Sequence, residues 1–166
     1  MKKILTQSLK YLLVLLLLPI STLTAQTEQF PSQREISRDS LLTYARIIID
    51  SAKSRVFVTV DEEGKPQART MSPFPPEDNW VIWLGTFPTS RKVKQIQNNP
   101  NVVVFYYDTK GMSYVSVSGK ARLVNDPALK AKYWKKGWEQ FYPDRDKQYI
   151  LIEVTPERLE VCSFQY

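Results

Sequence analysis

Apolar positions recur along this chain with two different periods, and the change of period divides it into elements. Over residues 32–53, Leu41, Leu42, Ala45, Ile48 and Ile49 fall three and four apart, the pattern of one buried helix face. Arg34, Glu35, Arg38 and Asp39 occupy the wetter early part of that helix. The period then becomes two. Val56, Val58 and Val60 share one face of a strand over residues 55–60. Asp61-Glu62-Glu63-Gly64-Lys65-Pro66 reads as a hairpin connection into a second strand over residues 67–72. The proline-rich stretch 73–78 cannot continue a central strand. A third strand over residues 79–84 follows, and its order in the chain predicts pairing with the second. Residues 91–99 read as a short helix ended by Pro100, and residues 101–107 as a valine-rich fourth strand.

A long fifth strand spans residues 113–124, with Gly119 marking a bulge or bend inside it. Asp126 then caps a helix with Pro127 at its first position, carrying Leu129, Tyr133, Trp134 and Trp138. Two last strands, residues 148–154 and 158–164, join across Thr155-Pro156-Glu157. Six or seven short strands with hairpin turns and few helices predict a mainly β domain built as a small antiparallel barrel.

Residues 1–25 are a different kind of sequence. Lys2, Lys3 and Lys10 precede a leucine-rich apolar run of about ten residues, and Ser21-Thr22-Leu23-Thr24-Ala25 is a small-residue tail. This is the pattern of a secretory signal peptide cleaved at Ala25, with residues 26–166 as the exported, periplasmic domain. The run is short of the roughly 20 residues a membrane span needs; retention as an uncleaved anchor is the alternative. Without those residues the formal charge falls from +6 to +3, because three lysines and no acids leave. That is little for a protein that tracks a phosphate backbone, and no nucleic-acid partner is expected. The chain has no histidine, which excludes His-ligated metal or haem and Ser-His-Asp or Cys-His catalysis within it. Cys162 is the only cysteine, so no intrachain disulfide can form.

The chemistry concentrates in residues 86–92, Thr-Phe-Pro-Thr-Ser-Arg-Lys. Thr89 or Ser90 can cap the helix that follows. Arg91 and Lys92 then stand in its first turn, where the helix dipole disfavours cations. Either this is a solvated basic turn, or an anion such as a phosphate sits among the backbone N–H groups, hydroxyls and cations. Arg69, mid-strand between Ala68 and Thr70, is either a surface residue or a further cation for the same anion.

Several stretches, taken in order, resemble a known family. They are Gly64-Lys65-Pro66-Gln67-Ala68-Arg69-Thr70-Met71, Trp83-Leu84-Gly85-Thr86, Ser90-Arg91-Lys92-Val93-Lys94-Gln95-Ile96 and Asn99-Pro100-Asn101-Val102. Val117-Ser118-Gly119-Lys120-Ala121 and residues 138–143 continue the match. The chain resembles the FMN-binding split barrels of the pyridoxamine 5'-phosphate oxidase-like superfamily, especially their general-stress-protein branch, over nearly all of residues 47–164. The resemblance implies a six-stranded antiparallel Greek-key split barrel with flanking helices, dimerising around flavin mononucleotide (FMN). Carried over by position, Arg69, Ser90, Arg91 and Lys92 would hold the flavin phosphate. Thr70 and Met71 would approach the ring edge, and Thr86 would line the ribityl and phosphate end. Tyr114 would face the cofactor from the second subunit, and Trp138 (with Trp134) could cover the ring.

The chain departs from the family where Glu160 is followed by Val161-Cys162 rather than by an aromatic. The cations that the oxidase proper uses for its vitamin B6 substrate are also not evident. The function implied is an FMN-dependent oxidoreductase acting on a small substrate, with no side chain assigned as catalytic. The alternatives are a flavin-binding or sensing module without turnover, or a deazaflavin- or haem-handling barrel.

Overall fold

A computed structural model describes residues 36–164. The signal-peptide reading, and the predicted start of the first helix at residue 32, lie outside these residues. Helix α1 (Arg38–Ser51) begins where the Ser37 hydroxyl accepts from the Ser40 N–H. It buries Ala45, Ile48 and Ile49, the face its spacing predicts.

The strands are β1 (Ser54–Val60), β2 (Pro66–Thr70), β3 (Ile82–Thr86), β4 (Asn101–Asp108), β5 (Ser113–Val124) and β6 (Ile150–Cys162). They form one antiparallel sheet in the order β2-β1-β4-β5-β6-β3. The domain is thus mainly β, a curled six-stranded antiparallel half-barrel of the split-barrel kind. Helix α2 (Arg91–Asn98) joins β3 to β4. Between β5 and β6 lie α3 (Pro127–Lys132), a 3₁₀ turn at Trp138–Gln140, and α4 (Arg145–Gln148). The Asp126 carboxylate accepts from Leu129 N–H as the α3 cap, with Pro127 just inside.

Four expectations need correction. First, β2 does not pair with β3: β2 lies against β1 and β3 against β6, at opposite ends of the strand order. The connecting segment itself turns back on the start of β3, Phe74 N–H donating to the Trp83 carbonyl and Glu77 N–H to the Val81 carbonyl, while Pro73, Pro75 and Pro76 have no N–H to extend those bonds into a ladder. Arg46 fastens this segment, donating to the carbonyls of Pro76, Glu77 and Asp78 while its guanidinium covers the Trp80 ring. Second, β3 begins at Ile82 rather than residue 79, since Trp80 has φ of 69° and breaks the extended run. Third, the expected last two strands are one. Pro156 sits opposite Gly119, Arg158 opposite Ser118, and Glu157 is the extra residue of a bulge. A Cβ at Gly119 would lie 2.1 Å from the Thr155 carbonyl oxygen, so only glycine allows the approach. Fourth, α3 stops at Lys132, leaving Tyr133 as its C-cap and Trp138 on the separate 3₁₀ turn.

The principal core packs α1 against Phe57, Ile82, Leu84, Val104, Val115, Val117, Ile152 and Val154. Thus Phe57 and Thr59, not the alternating valines, are the buried residues of β1. Val56, Val58 and Val60 lie half-buried on the other face, beside Val103 and Phe105 of β4. A second, aromatic cluster centres on Trp83, Tyr133, Tyr149 and Leu151, with Phe74, Trp134, Trp138 and Tyr142 packed on it.

Candidate cofactor site

The site grows from the end of β3. Thr86, almost fully buried, closes that strand, and residues 87–90 turn the chain into α2. Ser90 is the α2 N-cap residue, yet its hydroxyl makes no cap hydrogen bond. It shares a 3.2 Å hydrogen bond with the Thr86 hydroxyl, to which Lys92 Nζ donates at 3.0 Å. The side chains of Thr86, Ser90 and Lys92 thus meet beside the free N–H groups of the helix start. Val93, Gln95 and Ile96 are the buried face of α2, and Arg91 is on its exposed side.

Arg69 arrives from β2. It stands opposite Phe57 in the β1–β2 register and faces the interior. Its guanidinium donates to Thr59 Oγ1 at 2.7 Å, to Gln95 Oε1 at 3.0 Å and to the Phe57 carbonyl at 3.3 Å. Thr59 also donates to Gln95 Oε1, which joins strand, arginine and α2 in one network. The sheet curls enough to bring β2 and α2 together although β2 and β3 are not neighbours.

The electrostatics of the cluster are one-sided. Burial first, then the charge of Arg91, lowers the Arg69 guanidinium below its ordinary range. Burial first, then Arg69 and Arg91, lowers the Lys92 ammonium. Among the described residues no ion pair includes Arg69, Arg91 or Lys92, and the first turn of α2 holds no acid. Three cations held near one another with no carboxylate fit an anionic group of high charge density, such as a phosphate monoester.

A cavity of about 410 Å³ is lined by sequence neighbours of this cluster, Thr70 next to Arg69 and Gly85 and Phe87 flanking Thr86. Thr70 and Met71 line it from the β2 side, Gly85 and Phe87 from the β3 side, and Trp138 and Tyr142 from the segment before β6. Gly85 is needed here because a Cβ would lie 2.3 Å from the Tyr149 ring, which is fully buried against it. The sequence-predicted residues therefore fall into three places. Arg69, Thr86, Ser90 and Lys92 converge, with Arg91 at the rim. Thr70, Met71 and Trp138 share the neighbouring cavity. Tyr114 is apart from both: it lies on β5 beside Phe105 and donates to Glu160.

Sequence reasoning passed over Thr59 and Gln95, which orient Arg69, and the aromatics Phe87, Phe141 and Tyr142 of the cavity. Gln95 did carry a signal, lying one turn beyond Arg91 and next to Ile96 on the apolar side of α2.

Comparisons with known proteins agree with this architecture. The model of the family described as "Pyridoxamine 5'-phosphate oxidase like" matches residues 44–163. General stress protein 26 of Bacillus subtilis (strain 168) is 33% identical over 120 residues, covering 70% of this chain and 84% of the relative. The crystal structure of General Stress Protein 26 from Bacillus anthracis str. Sterne superposes with a TM-score of 0.61 at 29% identity, covering 72% of this chain and 91% of that one. A pyridoxamine 5'-phosphate oxidase-related, FMN binding protein from Nostoc punctiforme PCC 73102 shares the fold, with a TM-score of 0.61 at 18% identity over 80% of this chain and 88% of that one.

Proposed function

The chain belongs to the pyridoxamine 5'-phosphate oxidase-like family, and from that premise we propose that it binds FMN and is an FMN-dependent oxidoreductase acting on a small substrate. One observation carries the reading. Arg69 and Lys92, with Arg91 at the rim, surround the start of α2 without an acidic partner, beside a Ser90 hydroxyl not spent on capping. A phosphate monoester supplies the missing negative charge and accepts from these donors. That a structural relative is an FMN binding protein supports flavin as the body attached to that phosphate.

In this reading Arg69, Ser90 and Lys92 bind the phosphate, with Arg91 adding long-range attraction. Thr86 holds Lys92 and Ser90 in place. Thr59 and Gln95 fix the guanidinium before the ligand arrives, which lowers the ordering cost of binding. Thr70 and Met71 meet the ring edge, and Trp138 with its aromatic neighbours shields the adjacent cavity from water. The bound flavin supplies the hydride chemistry, and the protein supplies binding, orientation and electrostatics. The reading extends to a homodimer in which Tyr114 of a second copy faces the cofactor.

The test is spectroscopic. Protein reconstituted with FMN is expected to show a bound-flavin spectrum, and riboflavin, which lacks the phosphate, is expected to bind at least tenfold more weakly. Reduction by a nicotinamide donor followed by reoxidation by an added acceptor separates an oxidoreductase from a binding module. Absence of flavin binding after reconstitution overturns the reading.

A further inference from the structure

A second cavity, of about 300 Å³, is lined in part by residues 73–75 and has no role in the reading above. Two cations line it, Arg55 at the start of β1 and Lys135 before the 3₁₀ turn. Neither has a carboxylate within ion-pairing distance among the described residues. Lys135 Nζ is half-buried and donates to Ser72 Oγ and to the Ser72 and Pro73 carbonyls, which neutralise none of its charge. Burial first, and then the Arg55 charge, lowers the Lys135 ammonium below its ordinary value.

The third polar group is Tyr106. It stands directly across from Arg55 in the β1–β4 register, on the same inward face, and also lines the cavity. It is only 1% exposed, and its hydroxyl has no hydrogen-bond partner among the described residues. A buried hydroxyl left unpaired is costly, and a functional role or a bound water or ion is what commonly explains one. Burial pushes the phenol well above its ordinary value, so at neutral pH it is a donor. Asp50 also lines the cavity but is exposed on α1, and the site keeps one net positive charge. Phe74, Pro73 and Pro75 supply an apolar wall, and the volume is at the lower end for small-molecule cavities.

We propose that this cavity is a binding site for a small aromatic carboxylate. Its carboxylate pairs with the Arg55 guanidinium and accepts from the Tyr106 hydroxyl, with Lys135 adding attraction. Its ring lies against Phe74 and the flanking prolines. Carboxylate suits the planar fork of a guanidinium, and a ring-sized body fills the remaining space. The site does not depend on flavin being the cofactor of the first one.

Calorimetric titration of the full chain with benzoate and with benzamide, its uncharged counterpart, tests this. Benzoate is expected to bind at least tenfold more tightly than benzamide, with or without FMN present. Arg55→Met is expected to remove that preference. Tyr106→Phe is expected to weaken benzoate about tenfold while leaving the melting temperature of the ligand-free protein unchanged or higher, since it deletes an unpaired group. Arg55→Lys, which keeps charge but not the fork, is expected to retain part of the affinity and guards against misfolding of the Met variant. Equal affinity for benzoate and benzamide overturns the proposal, as does benzoate binding that survives both Arg55→Met and Tyr106→Phe. Sulfate binding in place of benzoate overturns it in favour of an inorganic anion. A Tyr106→Phe protein that binds benzoate normally, whatever its melting temperature, overturns the proposed site, because the carboxylate then does not meet the hydroxyl.

Discussion

Lys92 shows what a single residue contributes when its position in a helix is unfavourable without a ligand. Its ammonium sits in the first turn of α2, half-buried, facing Thr86 and near two arginines. If it holds a phosphate, Lys92→Ala and Arg69→Ala should each weaken FMN binding roughly ten- to a hundredfold, because a charge-assisted hydrogen bond contributes about 1.5–3 kcal/mol. Riboflavin affinity should barely change, and Arg91→Ala should have the smallest effect of the three. Fluorescence titration of both flavins checks this; equal loss of both would point to a damaged fold. A pH dependence follows from the same crowding. The folded value of Lys92 is lowered, so between that value and the unfolded value of about 10.4 the unfolded chain holds the extra proton, and stability rises with pH across the window. Ligand-free wild type should therefore gain stability relative to Lys92→Met as the pH rises toward the unfolded value of about 10.4. A flat difference in denaturant melts would mean that the charge is fully solvated. The cation pair was legible because a charge in the wrong turn of a helix is visible in the chain itself. Thr59 was not, and Gln95 only through its place on the apolar side of α2: their bonds to Arg69 join residues 10 and 26 positions apart in sequence.

At the scale of elements, periodicity located β1, β4 and β5 closely and the α3 cap to the residue. It misassigned partners wherever proline interrupted the pattern. Pro156 looked like a break, but opposite Gly119 it is accommodated in a bulge of one 13-residue strand. The proline-rich 73–78 stretch leads into a turn closed by Trp80 N–H on the Glu77 carbonyl, but it also carries the chain from one edge of the sheet to the other. Local sequence cannot distinguish these cases, because each is decided by what the distant strand offers. The β1 valines misdirect similarly: the face whose alternation is plainest in the sequence is the half-buried one, and the fully buried face carries Phe57 and Thr59. Gly119→Ala tests the bulge. The added methyl meets backbone rather than a mobile side chain, so the variant should lose about 1–3 kcal/mol in chemical denaturation. A loss near zero would mean that β6 shifts freely past β5.

For the whole molecule, the outer face of β1 and β4 is the surface from which a prediction about assembly follows. Val56, Val58, Val103 and Phe105 form a half-buried apolar band on it, extended by Tyr107, which is 37% exposed. Tyr114 adjoins the band through its contact with Phe105, and Thr70 pairs across from Val56 at the other side. Contiguous apolar surface of this kind is rarely left to solvent in a monomer. Thr70 and Tyr114, two residues that the family resemblance brings to the flavin, therefore lie on one surface but three strands apart in the sheet order. A second copy packed on the band would bring its own Tyr114 toward the first copy's Thr70. The expectation is a homodimer whose cofactor site is complete only on assembly. Sedimentation at tens of micromolar protein should give a dimer, and Phe105→Glu, which places a charge in the band, should give a folded monomer with much weaker FMN binding. Because Arg69 and Lys92 are untouched in that variant, its residual affinity should remain phosphate-dependent, with FMN still preferred over riboflavin. A wild-type monomer that retains FMN would sink the shared site, and a Phe105→Glu dimer would place the interface elsewhere.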